Sequence, residues 1–187
     1  SRFKDVLDFT KAGKPGAART KYLWEVTIER LTGQPADHYS NAAMEWGTQT
    51  EPEARTVYEF ERNVTVESCG FIPHPVIAMS GASPDGLVGD FGLVEIKCPN
   101  TATHISTLLG AAPEKYVKQM QWNMACTGRA WWDFGSFDPR LPPAMQLLVK
   151  RVERDDKIIA ELEAAVVEFL SELDAKLASL TALYERK

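Results

Sequence analysis

A chain of 187 residues with 44% hydrophobic and 25% charged side chains has the size and composition of one globular domain with a substantial core, spanning 1–187. A formal net charge of −5 argues against a broadly basic nucleic-acid binder, no apolar run approaches the roughly 18 residues of a membrane span, and no signal peptide opens the chain. The expectation is a soluble cytoplasmic protein without a membrane partner. The three cysteines, Cys69, Cys98 and Cys126, are too few and too scattered for a disulfide framework or a zinc site, fall short of the four an iron-sulfur cluster needs, and read as buried thiols.

The charge is unevenly spread. From 153 to 187 nine acids face five bases, which leaves residues 1–152 near neutrality. Residues 1–24 invert the sign: Arg2, Lys4, Lys11, Lys14, Arg19 and Lys21 face only Asp5 and Asp8, so this end offers either a positive surface to phosphates or a solvated helix.

In chain order, residues 1–10 and 17–31 read as helices separated by Lys14-Pro15-Gly16, with Gly33 ending the second. A third helix over 41–61 carries Glu51. Because Pro52 suits a first turn, the helix is expected to begin or kink near Thr50, which puts Glu51 by a helix N-terminus. Arg55, one turn on, is placed to pair with Glu51 or to reach phosphate. Short strands are expected at 64–68 and 76–80, with Pro73 and Pro75 in the connection. His38, His74 and His104 share no ligand spacing, and the last two read as surface or DNA-contact residues.

The stretch 83–99 is the centre of the chain. Two apolar segments flank Gly89-Asp90-Phe91-Gly92, the pattern of a β-hairpin, and alternation puts Glu95 and Lys97 on one face with Val94 and Ile96 on the other. Centred near Phe91, the hairpin sets Asp85 opposite Lys97 and diagonal to Glu95. Two carboxylates and an ammonium then converge where a divalent metal fits. The surrounding Leu, Val, Ile and Cys mark a central strand, in which charges need partners or a metal to offset desolvation.

Further on, residues 113–127 form a helix with Pro113 at its start, Gly128 past its end, and Tyr116, Met120 and Met124 along one stripe. Gln119 and Gln121, two apart, point in different directions; Lys115 and Lys118 share a face that suits backbone phosphates. Residues 131–134 and 146–149 read as strands. At least one of Trp131 and Trp132 belongs to the core, and such aromatics also suit stacking on unpaired bases. A helix over 155–184 carries an apolar stripe from Ile159 through Leu162, Val166, Phe169, Leu173, Leu177 and Leu180 to Tyr184, fitted to packing on the sheet or to a subunit seam. The order of elements implies an α/β fold, a mixed sheet flanked by helices, with the site along one sheet edge.

Ser83-Pro84-Asp85-Gly86, the ten-residue step to Glu95, and Glu95-Ile96-Lys97-Cys98-Pro99 resemble the PD-(D/E)xK nuclease core. More narrowly, they resemble the phage lambda exonuclease and YqaJ-type viral recombinase family. The likeness extends to Trp46-Gly47, Glu51, Ala54-Arg55, Tyr116-x-x-Gln119-x-Gln121, Thr127-Gly128-Arg129 and Phe137-Asp138-Pro139-Arg140. It implies a restriction-endonuclease-like core in which Asp85, Glu95 and the Ile96 backbone carbonyl hold one or two Mg²⁺ ions, Mn²⁺ substituting, with Glu51 as a supplementary metal or water ligand. Lys97 and Gln119 complete the catalytic set.

Ser1 and Ser83 help to hold a terminal phosphate by the same resemblance; the arginine-containing segment that members carry before the serine equivalent to Ser1 is not among these residues. Arg19, Lys118 and Arg55 are further phosphate contacts. The implied activity is 5′ to 3′ exonuclease on linear duplex DNA in a bacterial host cytoplasm. It releases 5′-mononucleotides and leaves a 3′ strand for a single-strand-annealing protein, and the enzyme assembles as a homo-oligomeric ring of three. The rivals are a structure-specific or restriction-type endonuclease on the same core and a non-catalytic DNA-end-binding module.

Overall fold

Leu93-Val94-Glu95-Ile96 puts apolar residues on both faces, as a strand covered on both sides requires, and it forms the middle strand of a five-stranded sheet. The structure, a computed structural model, describes residues 2–35, 42–110 and 114–184. Its elements in order are α1 (Phe3–Val6), α2 (Ala17–Thr32), α3 (Ala42–Arg62), β1 (Val66–Glu67), β2 (Ile72–Pro73), β3 (Gly81–Ala82), β4 (Gly86–Val88), β5 (Gly92–Lys97), α4 (Thr101–Leu108), α5 (Glu114–Thr127), β6 (Trp131–Phe137), β7 (Leu147–Glu153) and α6 (Asp156–Tyr184). They form two compact units, one of Ser1–His38 with Ala160–Lys187 and one of Tyr39–Ile159. Among the described residues no helix is long and apolar enough to cross a membrane.

The second unit holds the mixed sheet, in the order β1-β4-β5-β6-β7. β5 and β6 run parallel, and the other neighbours are antiparallel. A parallel pair needs a crossover, which α4 and α5 supply. Val88, Val94, Ile96 and Phe137 meet Ala54 and Tyr58 of α3 on one face. On the other, Leu93, Trp132 and Phe134 meet Met120 and Met124 of α5. The expected helix-flanked mixed sheet is therefore present, and the charged strand is central, as its apolar neighbours imply, although the order of elements suggests a site along one sheet edge. Trp132 is the tryptophan enclosed in the core.

The hairpin turn spans 89–91, with Gly89 at φ 51°, and the register pairs Gly86 with Val94 and Val88 with Gly92. Continued one step, it sets Asp85 across from Glu95 and not from Lys97. The shift is even, so every side chain keeps its expected face. Gly92 belongs to the strand because the Trp131 ring lies directly on it: an added Cβ would stand 2.1 Å from the ring. Arg129 clamps the turn, its Nη1 donating to the carbonyls of Gly89 at 2.6 Å and Gly92 at 2.7 Å.

Several expectations are corrected here. Residues 76–80 are not a strand: the His74 N–H donates to the Ser80 carbonyl at 2.9 Å, closing a turn between β2 and β3. α3 runs through Pro52, so Glu51 stands inside the helix and not at its start. His74 and His104 are buried, not surface contacts. His74 stacks on Trp122 and accepts at Nδ1 from the Ile77 N–H at 3.0 Å. His104 lies between the Ser136 hydroxyl and the Met145 carbonyl; a carbonyl only accepts, so Nε2 donates to it and Nδ1 takes the hydroxyl proton. Cys98 and Cys126 are buried as expected, and Cys69 is half-buried.

In the first unit, Val6, Leu23, Phe169 and Leu173 form one cluster, with Tyr22 stacked on Phe169 at 5.1 Å. Phe169, Leu173 and Leu177 of the α6 stripe are thus taken up against α1 and α2, and Ile159 joins the core of the sheet. α2 ends as expected at Gly33, whose φ of 67° suits glycine.

Two stability outcomes follow. Gly92→Ala should destabilise the fold by about 1–3 kcal/mol in urea unfolding, because the added Cβ would collide with the Trp131 ring and force it or the strand to shift. Asp138, enclosed at the end of β6, is held down to about 2 by its hydrogen bonds to Arg140. A depressed carboxylate contributes stability above its unfolded pKa and loses it as pH falls through the folded one. Asp138→Asn should therefore be less stable than wild type at neutral pH, and the gap should narrow between about pH 4 and pH 2 in acid-unfolding curves.

Candidate active site

Glu95 is 2% exposed in the middle of the sheet. Its Oε1 takes two donors, Lys97 Nζ at 2.5 Å and Gln119 Nε2 at 3.0 Å. Strand alternation brings Lys97 onto the face of Glu95, and α5 lays Gln119 across it. Gln121, on a different side of the helix, instead holds the Glu153 carbonyl and the Asp155 N–H, both at 2.8 Å.

Asp85 precedes β4, half-buried, and its Oδ2 accepts from the Ile96 N–H at 3.0 Å. That cross-strand bond fixes one carboxylate beside the other. Glu51, exposed on α3, lies within electrostatic reach of both Asp85 and Lys97.

The charges influence one another strongly. Burial pushes the Glu95 carboxyl above its usual range, with Asp85 adding to the effect and Lys97 opposing it. Burial also drives Lys97 toward the neutral amine, but the facing carboxylates of Glu95 and Asp85 more than reverse this and keep it charged. Partial burial and then the charge of Asp85 raise Glu51. Three acids around one ammonium form a site short of positive charge.

Among the described residues, no three His, Cys, Asp or Glu side chains group closely enough to hold a metal by themselves. The donors nevertheless suit a hard cation. Glu95 Oε2 is buried without a hydrogen-bond partner, which is costly for a carboxylate oxygen unless a cation takes it. Mg²⁺ ordinarily uses one or two carboxylates and completes its shell with water and substrate oxygens, a donor set that the Asp85 and Glu95 carboxylates fit.

The remaining expected residues divide. Ser83 and Lys118 are exposed, Ser83 two residues before Asp85. Ser1 and the Lys115 side chain lie outside the described residues. Arg19 is no phosphate contact: it is 0% exposed, pairs with Glu172 at 2.8 Å and donates to the Val6 carbonyl. Arg55 does not pair with Glu51, since its guanidinium is taken up by Ser68 Oγ at 2.8 Å and the Val66 carbonyl. Tyr116, given no role from sequence, stacks on Phe134 at 5.4 Å and acts electrostatically on Lys97. Its place one turn before Gln119 was the signal that could have found it.

Against this geometry, the comparisons with known proteins agree. A family model for the YqaJ-like viral recombinase domain matches residues 1–130. The crystal structure of an alkaline exonuclease, LHK-Exo from Laribacter hongkongensis, is 50% identical and superposes with a TM-score of 0.90 over 99% of this chain and 91% of that one. The same figures hold for LHK-Exo in complex with dAMP. A phage related exonuclease from Haemophilus somnus 129PT, 16% identical, shares the fold with a TM-score of 0.75 over 95% of this chain and 93% of that one. The uncharacterized protein ExoD of Escherichia coli (strain K12) is 31% identical over 71 residues, covering 37% of this chain and 79% of that protein. With a family model matched over most of its length, the chain belongs to the YqaJ-like viral recombinase family.

Proposed function

We propose that the chain is a metal-dependent exodeoxyribonuclease that degrades one strand of linear duplex DNA from 5′ to 3′ and releases 5′-mononucleotides. What carries this reading is the buried Glu95, shared between Lys97 and Gln119 on one oxygen and unpartnered on the other, beside Asp85. The likeness to LHK-Exo supports it, because that alkaline exonuclease is 50% identical and was crystallised with dAMP, a mononucleotide.

Asp85, Glu95 and the Ile96 carbonyl would hold Mg²⁺, with Glu51 assisting. When bound, the ion supplies Lewis acidity toward water and phosphate oxygen. Lys97, kept charged by its carboxylate neighbours, faces the scissile phosphate and offsets negative charge as it grows there. The Gln119 amide spends an N–H on Glu95 and leaves its carbonyl oxygen to orient the attacking water without adding charge. The Ile96 N–H holds Asp85 in register, so this carboxylate needs no rearrangement on binding. Ser83 and Lys118, both exposed, serve as contacts to the phosphate backbone. The product is a 3′ single strand suited to an annealing protein. The enzyme works as a homo-oligomer, a reading supported by Trp24, Ile28 and Leu31, which stand exposed on one stripe of α2.

Asp85→Ala and Lys97→Ala should each lower turnover by at least about a hundredfold while sparing DNA binding, and wild type should lose cleavage in chelator and regain it with Mg²⁺. Tight end binding by wild type with no metal-dependent product would instead establish a non-catalytic end-binding module. Polarity is read from duplexes labelled at 5′ or 3′ ends: early release of the 5′ label as mononucleotide, with circular duplex intact, is the expected result. Equal cleavage of circles would mean an endonuclease.

A further inference from the structure

Glu51 projects from a weak point of α3. Pro52 has no N–H to give the Thr48 carbonyl, so the helix is least continuous where Glu51 stands. Beyond it, Ala54 and Tyr58 are wholly enclosed in the cluster that includes Val94 and Ile96 of β5. Before it, none of residues 42–49 is buried, and Trp46 and Gly47 are only half-buried.

One hold on this arm is the Trp46 indole, which also packs against that cluster. The Arg140 guanidinium lies over the indole, 4.4 Å from the ring centre. Arg140 is itself fixed by a two-pronged pair with the fully buried Asp138, Nε to Oδ1 at 2.7 Å and Nη2 to Oδ2 at 2.8 Å. Its Nη2 also approaches the Pro99 carbonyl at 3.5 Å, two residues past Lys97. One guanidinium thus touches α3, the segment leaving β5 and the end of β6. Its planar fork suits the task, since it binds the carboxylate edge-on while presenting a face to the indole.

We propose that the Asp138–Arg140–Trp46 stack is a positioning device for Glu51, fastening the N-terminal arm of α3 to the ends of β5 and β6 and so fixing where Glu51 faces Asp85 and Lys97. The role assigned to Glu51 rests on the nuclease reading above; the mechanical claim does not.

The test uses the full chain and the variants Arg140→Gln, Trp46→Ala and Trp46→Phe, each alone and combined with Glu51→Gln. Amide hydrogen exchange without metal or DNA should quicken in residues 42–50 of Arg140→Gln and Trp46→Ala, leave β5 and β6 unchanged in Trp46→Ala, and return toward wild type in Trp46→Phe, which keeps an aromatic face. The Mg²⁺ concentration for half-maximal cleavage should rise about fivefold in the first two variants, with KM for DNA unchanged. In the Glu51→Gln background neither variant should add a further loss. Unchanged exchange in 42–50 would overturn the proposal, as would an equal loss with and without Glu51, which would mean that the stack serves stability alone. Absence of metal-dependent product in wild type would defeat the nuclease reading, and the exchange result would then decide the mechanical claim by itself.

Discussion

A carboxylate buried in the middle of a sheet is the constraint the rest of the structure answers. Taking Glu95 out of water carries a desolvation cost that only nearby donors or a cation offset, and the fold supplies donors from two directions. Lys97 comes from the same strand by alternation. Gln119 comes from α5, which is present because β5 and β6 are parallel and need a crossover between them. The same topology that closes the core therefore brings the neutral amide over the acid. Both donors go to Oε1 and leave the buried Oε2 without a hydrogen-bond partner.

Much of this was legible in the chain. Period-two alternation and a Gly- and Asp-rich turn identified the hairpin and its charged face, and the apolar neighbours of Glu95 marked a covered strand. The register was misjudged because Gly92 reads as turn by residue type, whereas the Trp131 ring pressed on it makes it strand. Tryptophan lies far along the chain, so no local pattern could report that contact. Arg19 failed for the same reason: its partner Glu172 is 153 positions away. His74 and His104 looked like surface residues because Trp122, Ser136 and the Met145 carbonyl, which pack against them, also lie outside any local pattern. Pro52 misled in the opposite sense. A local rule predicted a start or a kink near Thr50, and packing of Ala54 and Tyr58 carried the helix through.

The formal charge of −5 gains meaning once the arginines are traced. Arg19 is paired with Glu172, Arg55 is held on β1, Arg129 on the hairpin turn, Arg140 by Asp138 and Arg151 by Asp133. Each is engaged inside the chain, so these guanidinium groups brace the scaffold before they meet any substrate. Lys11, Lys14 and Lys118 instead stand exposed, as compact hydrated ammonium groups.

On the nuclease reading, this distribution ties substrate entry to the cation. Glu51, Asp85 and Glu95 surround a single ammonium, so a phosphate approaching without a divalent ion meets net repulsion at short range, where bulk salt screens poorly. A divalent ion held by these carboxylates would lower the electrostatic cost of bringing the reacting phosphate in beside them. An acidic chain without a broad basic surface thereby gains selectivity for the reacting phosphate over the rest of the backbone, because the positive potential it needs is concentrated at one point.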